Sequence, residues 1–344
     1  MKINIFTDPH LNVSRQAHTT KTSSTALNQR LFVAAMDAKS PTMPNYCAGD
    51  LFDKPFNPEW AVIQGMEVAK DCYVLSGNHD ETNREGTQCS LEVIAAAKIG
   101  PVVRNPSVSG TYYEITRHRM MLVPHHASQE NFVKALRLAA GESNGQYSVM
   151  VHCNRGEIMG DTPDSILVIS KELEEELLQS FKRIFYGHEH GSHNNQVDGD
   201  VVTSRAVVLG NTHPTSFSDI SDKYRYEYDT ETDELVRFKI WSKADHYLQV
   251  VIGDAIPDAE ERDLDFIEVV GTAKRSEAVE YIDSIWNAHP QALMVRSNVT
   301  YAEDEVLEVT VAEPVNLADA IYKDLDGAKR ELFSQLLGQV NNGT

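Results

Sequence analysis

Five short polar groups, each following an apolar run, hold the residue types from which a cation site can be built. They are Asp8-Pro9-His10, Gly49-Asp50-Leu51-Phe52-Asp53, Gly77-Asn78-His79-Asp80, His152, and Gly187-His188-Glu189-His190. Carboxylate, amide and imidazole together make a hard-to-borderline oxygen and nitrogen ligand set, suited to manganese, iron or zinc and unlike a thiolate site. One carboxylate shared between two cations about 3.5–4 Å apart gives the arrangement used for in-line displacement at phosphorus. Singly each group is a weak signal, because an isolated histidine is more often a satisfied structural residue than a ligand. Their repetition at five successive strand ends carries the reading.

The elements that must position these groups are short and buried. Apolar runs at 3–6, 45–48, 73–75, 148–151, 184–186 and 201–209 end in polar or glycine-containing turns and predict core strands. Helical stretches at 27–38 and 59–70 fall between the early ones, which implies a layered α/β architecture with functional loops at the strand carboxyl ends. Extended backbone over 8–10 would send Asp8 and His10 to the same side. Gly49 would let the chain turn sharply enough to expose Asp50 at the sheet edge. Beyond 244 the pattern changes to strands at 247–252 and 266–270, a helix at 274–287, and strands at 292–296 and 306–311, a small α+β unit. Residues 313–344 read as an amphipathic helix with Asn316 as N-cap and an apolar stripe of Leu317, Ile321, Leu325, Ala328, Leu332 and Leu336. That helix would either pack on its own domain or dock into a partner's helices. The expected division is therefore 1–243, 244–312 and 313–344.

A formal charge of −20 opposes unspecific adhesion to nucleic acid, since phosphate binding normally relies on lysine and arginine. The objection weakens on division of the chain: beyond Ser218 acidic residues outnumber basic ones about two to one, the first part is nearer balance, and bound dications would reverse the local field. Cys47, Cys72, Cys89 and Cys153 show no paired spacing and read as reduced, structural thiols. The longest apolar runs fall far short of the ~18 residues that span a bilayer. The first residues read as a core strand instead of a signal peptide, so a cytoplasmic location is expected, that of the host if the chain is phage-encoded.

The motif order D-x-H, GDxxD, GNHD, H and GHxH resembles the calcineurin-like metallophosphoesterase superfamily. The resemblance implies a four-layer α-β-β-α sandwich in which Asp8, His10, Asp50 and His190 hold one metal and Asp50, Asn78, His152 and His188 hold the other. It also implies that His79 is no ligand but protonates the leaving oxygen or steadies the phosphorus, with Asp53 or Asp80 fixing its tautomer. Gly49-Asp50-Leu51-Phe52-Asp53 and the segment Gly210-Asn211-Thr212-His213-Pro214-Thr215-Ser216-Phe217-Ser218-Asp219 are similar to those of SbcD and meiotic-recombination-eleven type nucleases. The second departs from that pattern at Asn211-Thr212-His213. The compact length, with a smaller α+β capping unit and a helical end, resembles phage recombination nucleases. This likeness implies manganese, a homodimer, 3′ to 5′ exonuclease and endonuclease activity on DNA, and a coiled-coil ABC ATPase partner of the SbcC type. A nucleotide or other small-molecule phosphodiesterase on the same scaffold is the alternative.

Other polar residues carry less. Arg15, His18 and Lys21 occupy a polar stretch that could contact phosphates or be a solvated loop. His125 and His126, after the apolar run 120–123, could line the site or be ordinary turn residues, and the same holds for His193. Trp241 and Trp286 lie in apolar runs and read as core.

Overall fold

The computed structural model describes residues 1–14, 20–81, 88–104, 111–156, 166–192, 195–256 and 264–302. Arg15, His18, His193, the strand expected at 306–311 and the terminal helix expected at 313–344 lie outside the described residues.

Alternation along short strands builds the centre. In Lys2–Phe6, Ile3 and Ile5 point to one face and Phe6 to the other; in Met120–Val123, Met120 and Leu122 oppose Met121 and Val123. Successive side chains on a strand point to opposite faces, so each strand serves two cores at once. Ile3, Ile5, Tyr46 and Leu75 from one sheet meet Leu122, Met150, Phe185 and Val207 from another in a shared interior. The first sheet has eight strands, in the order Val197–Asp198, Val201–Val202, Glu234–Trp241, Lys223–Asp229, Lys2–Phe6, Asn45–Cys47, Cys72–Leu75 and Val102–Val103. The second has five, in the order Ala206–Val208, Ile184–Gly187, Ser148–His152, Met120–Val123 and Tyr113–Ile115. Phe185 is fully buried between them. Its replacement by alanine is expected to cost about 3–5 kcal/mol in denaturant unfolding.

Helices cover the outer faces. Ser24–Asp37, Glu59–Ala69 and Ser90–Ala97 contribute Leu27, Leu31, Val68, Leu91 and Ile94 to the cluster that holds Phe6, Cys47 and Val74 of the first sheet. On the other side Gln129–Ser143 and Lys171–Leu177 bury Phe132, Leu136, Leu173 and Leu177 against Met121, Val149 and Val151. These last two helices start where Ser128 and Ser170 accept the amides of Asn131 and Leu173, a side-chain cap on otherwise orphaned donors. The molecule is thus a mixed α/β protein.

A further sheet runs Tyr247–Val251, Phe266–Ala273, Met294–Tyr301 and Thr20–Thr22. Its first three strands are parallel, and Arg275–Ala288 packs Ala278, Ile282 and Ile285 on them at helical spacing. Lys21, expected in a loop, lies instead in the antiparallel edge strand Thr20–Thr22, paired with Met294–Arg296. Phe266, Leu293 and Met294 also join the cluster beneath Ser24–Asp37, so this sheet shares a core with the eight-stranded one. Among the described residues no helix is long and apolar enough to cross a membrane.

Candidate metal centre

Over residues 8–10 the backbone departs from the expected extended path, and two further strand ends share its left-handed conformation. Asp8, His10, Asp50 and His188 have φ of 53°, 46°, 46° and 89°. Left-handed conformation is uncommon outside glycine and persists only where surrounding bonds over-determine it. Those bonds are present: the amides of Asp8, His10 and Leu11 donate to the carbonyls of Gly49, Asp50 and Leu51 at 3.1, 3.0 and 3.0 Å, and Asp53 N returns one to Leu11 O at 2.9 Å. The convergence of Asp8 and His10 therefore comes from two left-handed turns laced to the 49–53 loop. The Asp80 carboxylate ties in the third loop by accepting Leu51, Phe52 and Gly77 amides at 3.2, 3.0 and 3.0 Å. Packing is close enough to require glycine: a Cβ on Gly49 would strike the His152 ring, and one on Gly77 the Asp50 carboxylate.

The side chains so positioned turn one kind of atom inward. His152 Nδ1 donates to Ala48 O at 2.9 Å, His79 Nδ1 to Asp53 O at 2.9 Å, and His190 Nδ1 to the Asp219 carboxylate at 3.2 Å. With Nδ1 held as donor, Nε2 is the nitrogen each ring leaves for ligation once neutral; in the metal-free chain His152 Nε2 faces the Asp50 carboxylate at 3.2 Å. His10 Nε2 lies 2.9 Å from His190 Nε2, 3.7 Å from Asp8 Oδ1 and 3.8 Å from Asp50 Oδ2. On the other side of Asp50, His152 Nε2 is 3.2 Å from Oδ2 and 3.0 Å from Asn78 Oδ1. Ligand bonds of about 2.1 Å put neighbouring ligand atoms about 3.0–3.4 Å apart and opposite ones about 4.2 Å apart, so these separations fit a cation. Asp8 Oδ1 is buried with no hydrogen-bond partner, an orphaned acceptor that a cation would satisfy. Three groups, Asp8-His10-His190, His10-Asp53-His79 and Asp50-His152-His188, could each hold a metal ion.

The electrostatics describe a site poised around charge. Burial would push the Asp8 and Asp50 carboxyls up, but facing imidazoles, His152 foremost, hold Asp8 below and Asp50 well below the usual range. Burial also opposes charge on His10 and His152. Carboxylates outweigh it, Asp53 and Asp8 raising His10 well above its ordinary value and Asp50 with Asp8 bringing His152 to about 9. Asp80 is pushed up to about 7 by burial and by the Asp50 charge. His188 falls to about 4 and His125 to about 3, each from burial and then from His152.

Asp8, His10, Asp50, Asn78, His79, His152, His188 and His190 are brought together at this rim. His79 is 29% exposed, with Nε2 4.0 Å from Asp50 Oδ2. The expected orientation of His79 by an acidic side chain is corrected: the Asp53 backbone carbonyl does it, while the Asp53 carboxylate lies 3.5 Å from His10 Nδ1 and Asp80 braces the loops. His125 faces the cluster electrostatically and leaves Nδ1 without a hydrogen-bond partner. His126 does not face it; its nitrogens meet Pro124 O at 2.7 Å and Thr111 N at 3.3 Å. His213 is buried beside Trp241 and Phe266, where Trp241 donates to Asp265. Asp219 and Lys223 were not singled out for roles from sequence. Asp219 receives His190 Nδ1, and the buried Lys223 ammonium donates to the His190 carbonyl at 3.0 Å. The signal for Asp219 was its place ending the Gly210–Asp219 motif.

No protein-family model matches this sequence, and no curated protein matches it.

Proposed function

We propose that this chain is a metal-dependent phosphodiesterase of the calcineurin-like kind, with the two facing sheets as its α-β-β-α sandwich and the four-stranded sheet as its capping unit. The observation that carries the reading is the position of Asp50: its Oδ2 stands 3.8 Å from His10 Nε2 and 3.2 Å from His152 Nε2, between two sets of inward-facing ligand atoms. Asp8, His10 and His190 would complete one cation site; Asn78, His152 and His188 the other. The oxygen and nitrogen donors suit manganese, iron or zinc, of which the family likeness favours manganese, and a bound pair would supply Lewis acidity and lower the acidity constant of water at the site. Around it the chain's own groups have separate tasks. Ala48 O, Asp219 and Asp53 O hold the rings in register. His79, 29% exposed, keeps Nε2 open for a proton that it can carry to a departing oxygen. His125 is kept neutral by burial and is available to a phosphate oxygen.

Within this class the reading is a DNA nuclease of the SbcD kind, cutting as a 3′ to 5′ exonuclease and endonuclease, dimeric, and working with an SbcC-type ABC ATPase. It rests on the GDLFD and Gly210–Asp219 motifs and on the presence of a second sheet. The charge of −20 favours the rival, a small-molecule phosphodiesterase, unless a partner supplies basic surface. The deciding experiment is manganese-dependent digestion of end-labelled linear DNA beside bis-nitrophenyl phosphate. Cleavage of both supports the nuclease. Hydrolysis of the small diester alone supports the rival, and hydrolysis of neither removes the activity altogether.

A further inference from the structure

The segment between the last metal motif and the eight-stranded sheet's closing hairpin does more than connect them. Asp219 sits at its end with both carboxylate oxygens engaged. Oδ2 accepts His190 Nδ1 at 3.2 Å, Asn211 Nδ2 at 2.8 Å, Thr215 N at 3.0 Å and Thr215 Oγ1 at 3.2 Å, while Oδ1 accepts Ser216 N at 2.9 Å. Only a carboxylate offers enough lone pairs, with no donor of its own, for that many donors. The Lys223 ammonium closes the clamp from behind, donating to Asp219 O at 2.7 Å and His190 O at 3.0 Å.

The same segment reaches the root of the four-stranded sheet. Asn211 Nδ2 donates to His213 O at 2.7 Å as well as to Asp219. The His213 ring is pinned by Pro214 O at 2.8 Å and turns Nε2 toward Asp265 Oδ2 at 3.5 Å. Asp265 immediately precedes Phe266–Ala273, receives Trp241 Nε1 at 2.9 Å, faces Arg30 at 3.2 Å and His246 at 3.5 Å, and its carbonyl accepts the Leu293 and Met294 amides. His190, Asp219, Asn211, His213 and Asp265 thus form an unbroken series of contacts from the candidate metal centre to the strands beyond it.

We propose that Asp219 is the positioning residue for His190, and that through Asn211 and His213 it makes the ring's orientation depend on how the four-stranded sheet is seated at Asp265. The inference rests on the proposed metal centre for its consequence, a site whose cation affinity responds to movement of the four-stranded sheet, but not for its geometry. A carboxylate that orients a ligating imidazole is worth ten- to hundredfold in metal affinity. Coupling between two places is physical only where both bias one element, and the Gly210–Asp219 segment is the element that touches both His190 and Asp265.

The test uses the full chain, labelled with ¹⁵N-histidine, without metal and then titrated with Mn²⁺ alone. Asp219→Asn puts an amide donor against a nest of donors. It is expected to convert His190 from its Nδ1–H form to a mixture, read in the ring ¹⁵N signals without metal, and to weaken Mn²⁺ binding ten- to hundredfold. Asp265→Asn is expected to move the same ring signals in the same direction and to weaken Mn²⁺ severalfold. Should Asp265→Asn fail to fold, Trp241→Phe, which removes the indole N–H while keeping an aromatic ring, reads the same connection. An unchanged His190 tautomer in Asp219→Asn overturns the positioning role. Unchanged His190 signals in a folded Asp265 or Trp241 variant overturn the coupling. If the wild type binds no Mn²⁺, the proposed function fails, while the metal-free ring signals still decide this inference.

Discussion

Of the buried aspartates that sit among histidines, Asp50 at the rim of the paired sheets and Asp265 at the root of the four-stranded sheet have surroundings that differ in kind. Asp265 receives an indole N–H at 2.9 Å and faces a guanidinium at 3.2 Å, with two imidazole nitrogens 3.5 Å away. Its negative charge is compensated where it stands. At the rim His152, His79 and His190 have spent their Nδ1 protons on Ala48 O, Asp53 O and Asp219, and Nε2 atoms converge on one another and on Asp8 and Asp50. The 2.9 Å separation of His10 and His190 Nε2 needs a hydrogen or a cation between the two nitrogens. In the metal-free chain a proton on His10 meets that need, consistent with its raised basicity; a cation would meet it better, binding every acceptor at once. Like composition therefore gives a structural joint in one place and a candidate reaction centre in the other. Among the described residues, the groups whose ligand atoms converge closely enough to hold a cation lie at the rim and not at the joint.

Substitutions that exploit this contrast should differ in what they change. The largest effect is expected from Asp50→Asn, which removes the one carboxylate common to both proposed cation sites. Phosphodiester hydrolysis should fall by about 10³-fold or more, and metal analysis should find both ions lost or loosened together. Retention of two ions would contradict the bridging role. Next is His79→Ala, predicted to leave metal content intact and slow hydrolysis roughly 10²-fold, with unchanged cleavage removing His79 from the chemistry.

At the joint the expected change is in stability. Burial opposes charge on Asp265, but His213, Trp241 and Arg30 hold its carboxyl below the ordinary value. A depressed carboxyl contributes stability that is present above the unfolded-state value of about 3.9 and is lost as pH falls through the lower folded-state value. Asp265→Asn should therefore cost about 1–3 kcal/mol near neutral pH, and the thermal-unfolding curves of wild type and variant should approach one another below about pH 4. A constant gap across that range would show that the charge on Asp265 is not what stabilises the joint.

The polar motifs at the rim were legible because their residue types are expensive to bury without a purpose and recur behind short apolar runs. The strands of the paired sheets were legible for the complementary reason, that apolar residues on both faces demand two cores. What escaped the sequence has physical causes too. Thr20–Thr22 is three polar residues whose pairing with Met294–Arg296 no local pattern announces. The helix Lys171–Leu177 hides in a run of charge, its start marked by the Ser170 cap. The left-handed turns at Asp8 and His10 are held by hydrogen bonds to the distant 49–53 loop, so the extended geometry expected over 8–10 was incorrect. The orienting role of Asp53 passed to its backbone carbonyl, and a carbonyl has no sequence signature.

The most direct test of the central claim is Mn²⁺ titration of the chain followed by electron paramagnetic resonance. The account predicts two Mn²⁺ ions per chain with the broadened, spin-coupled spectrum of a pair held about 3.5–4 Å apart. A single six-line signal from one isolated ion at saturation, or no bound manganese at all, would contradict it.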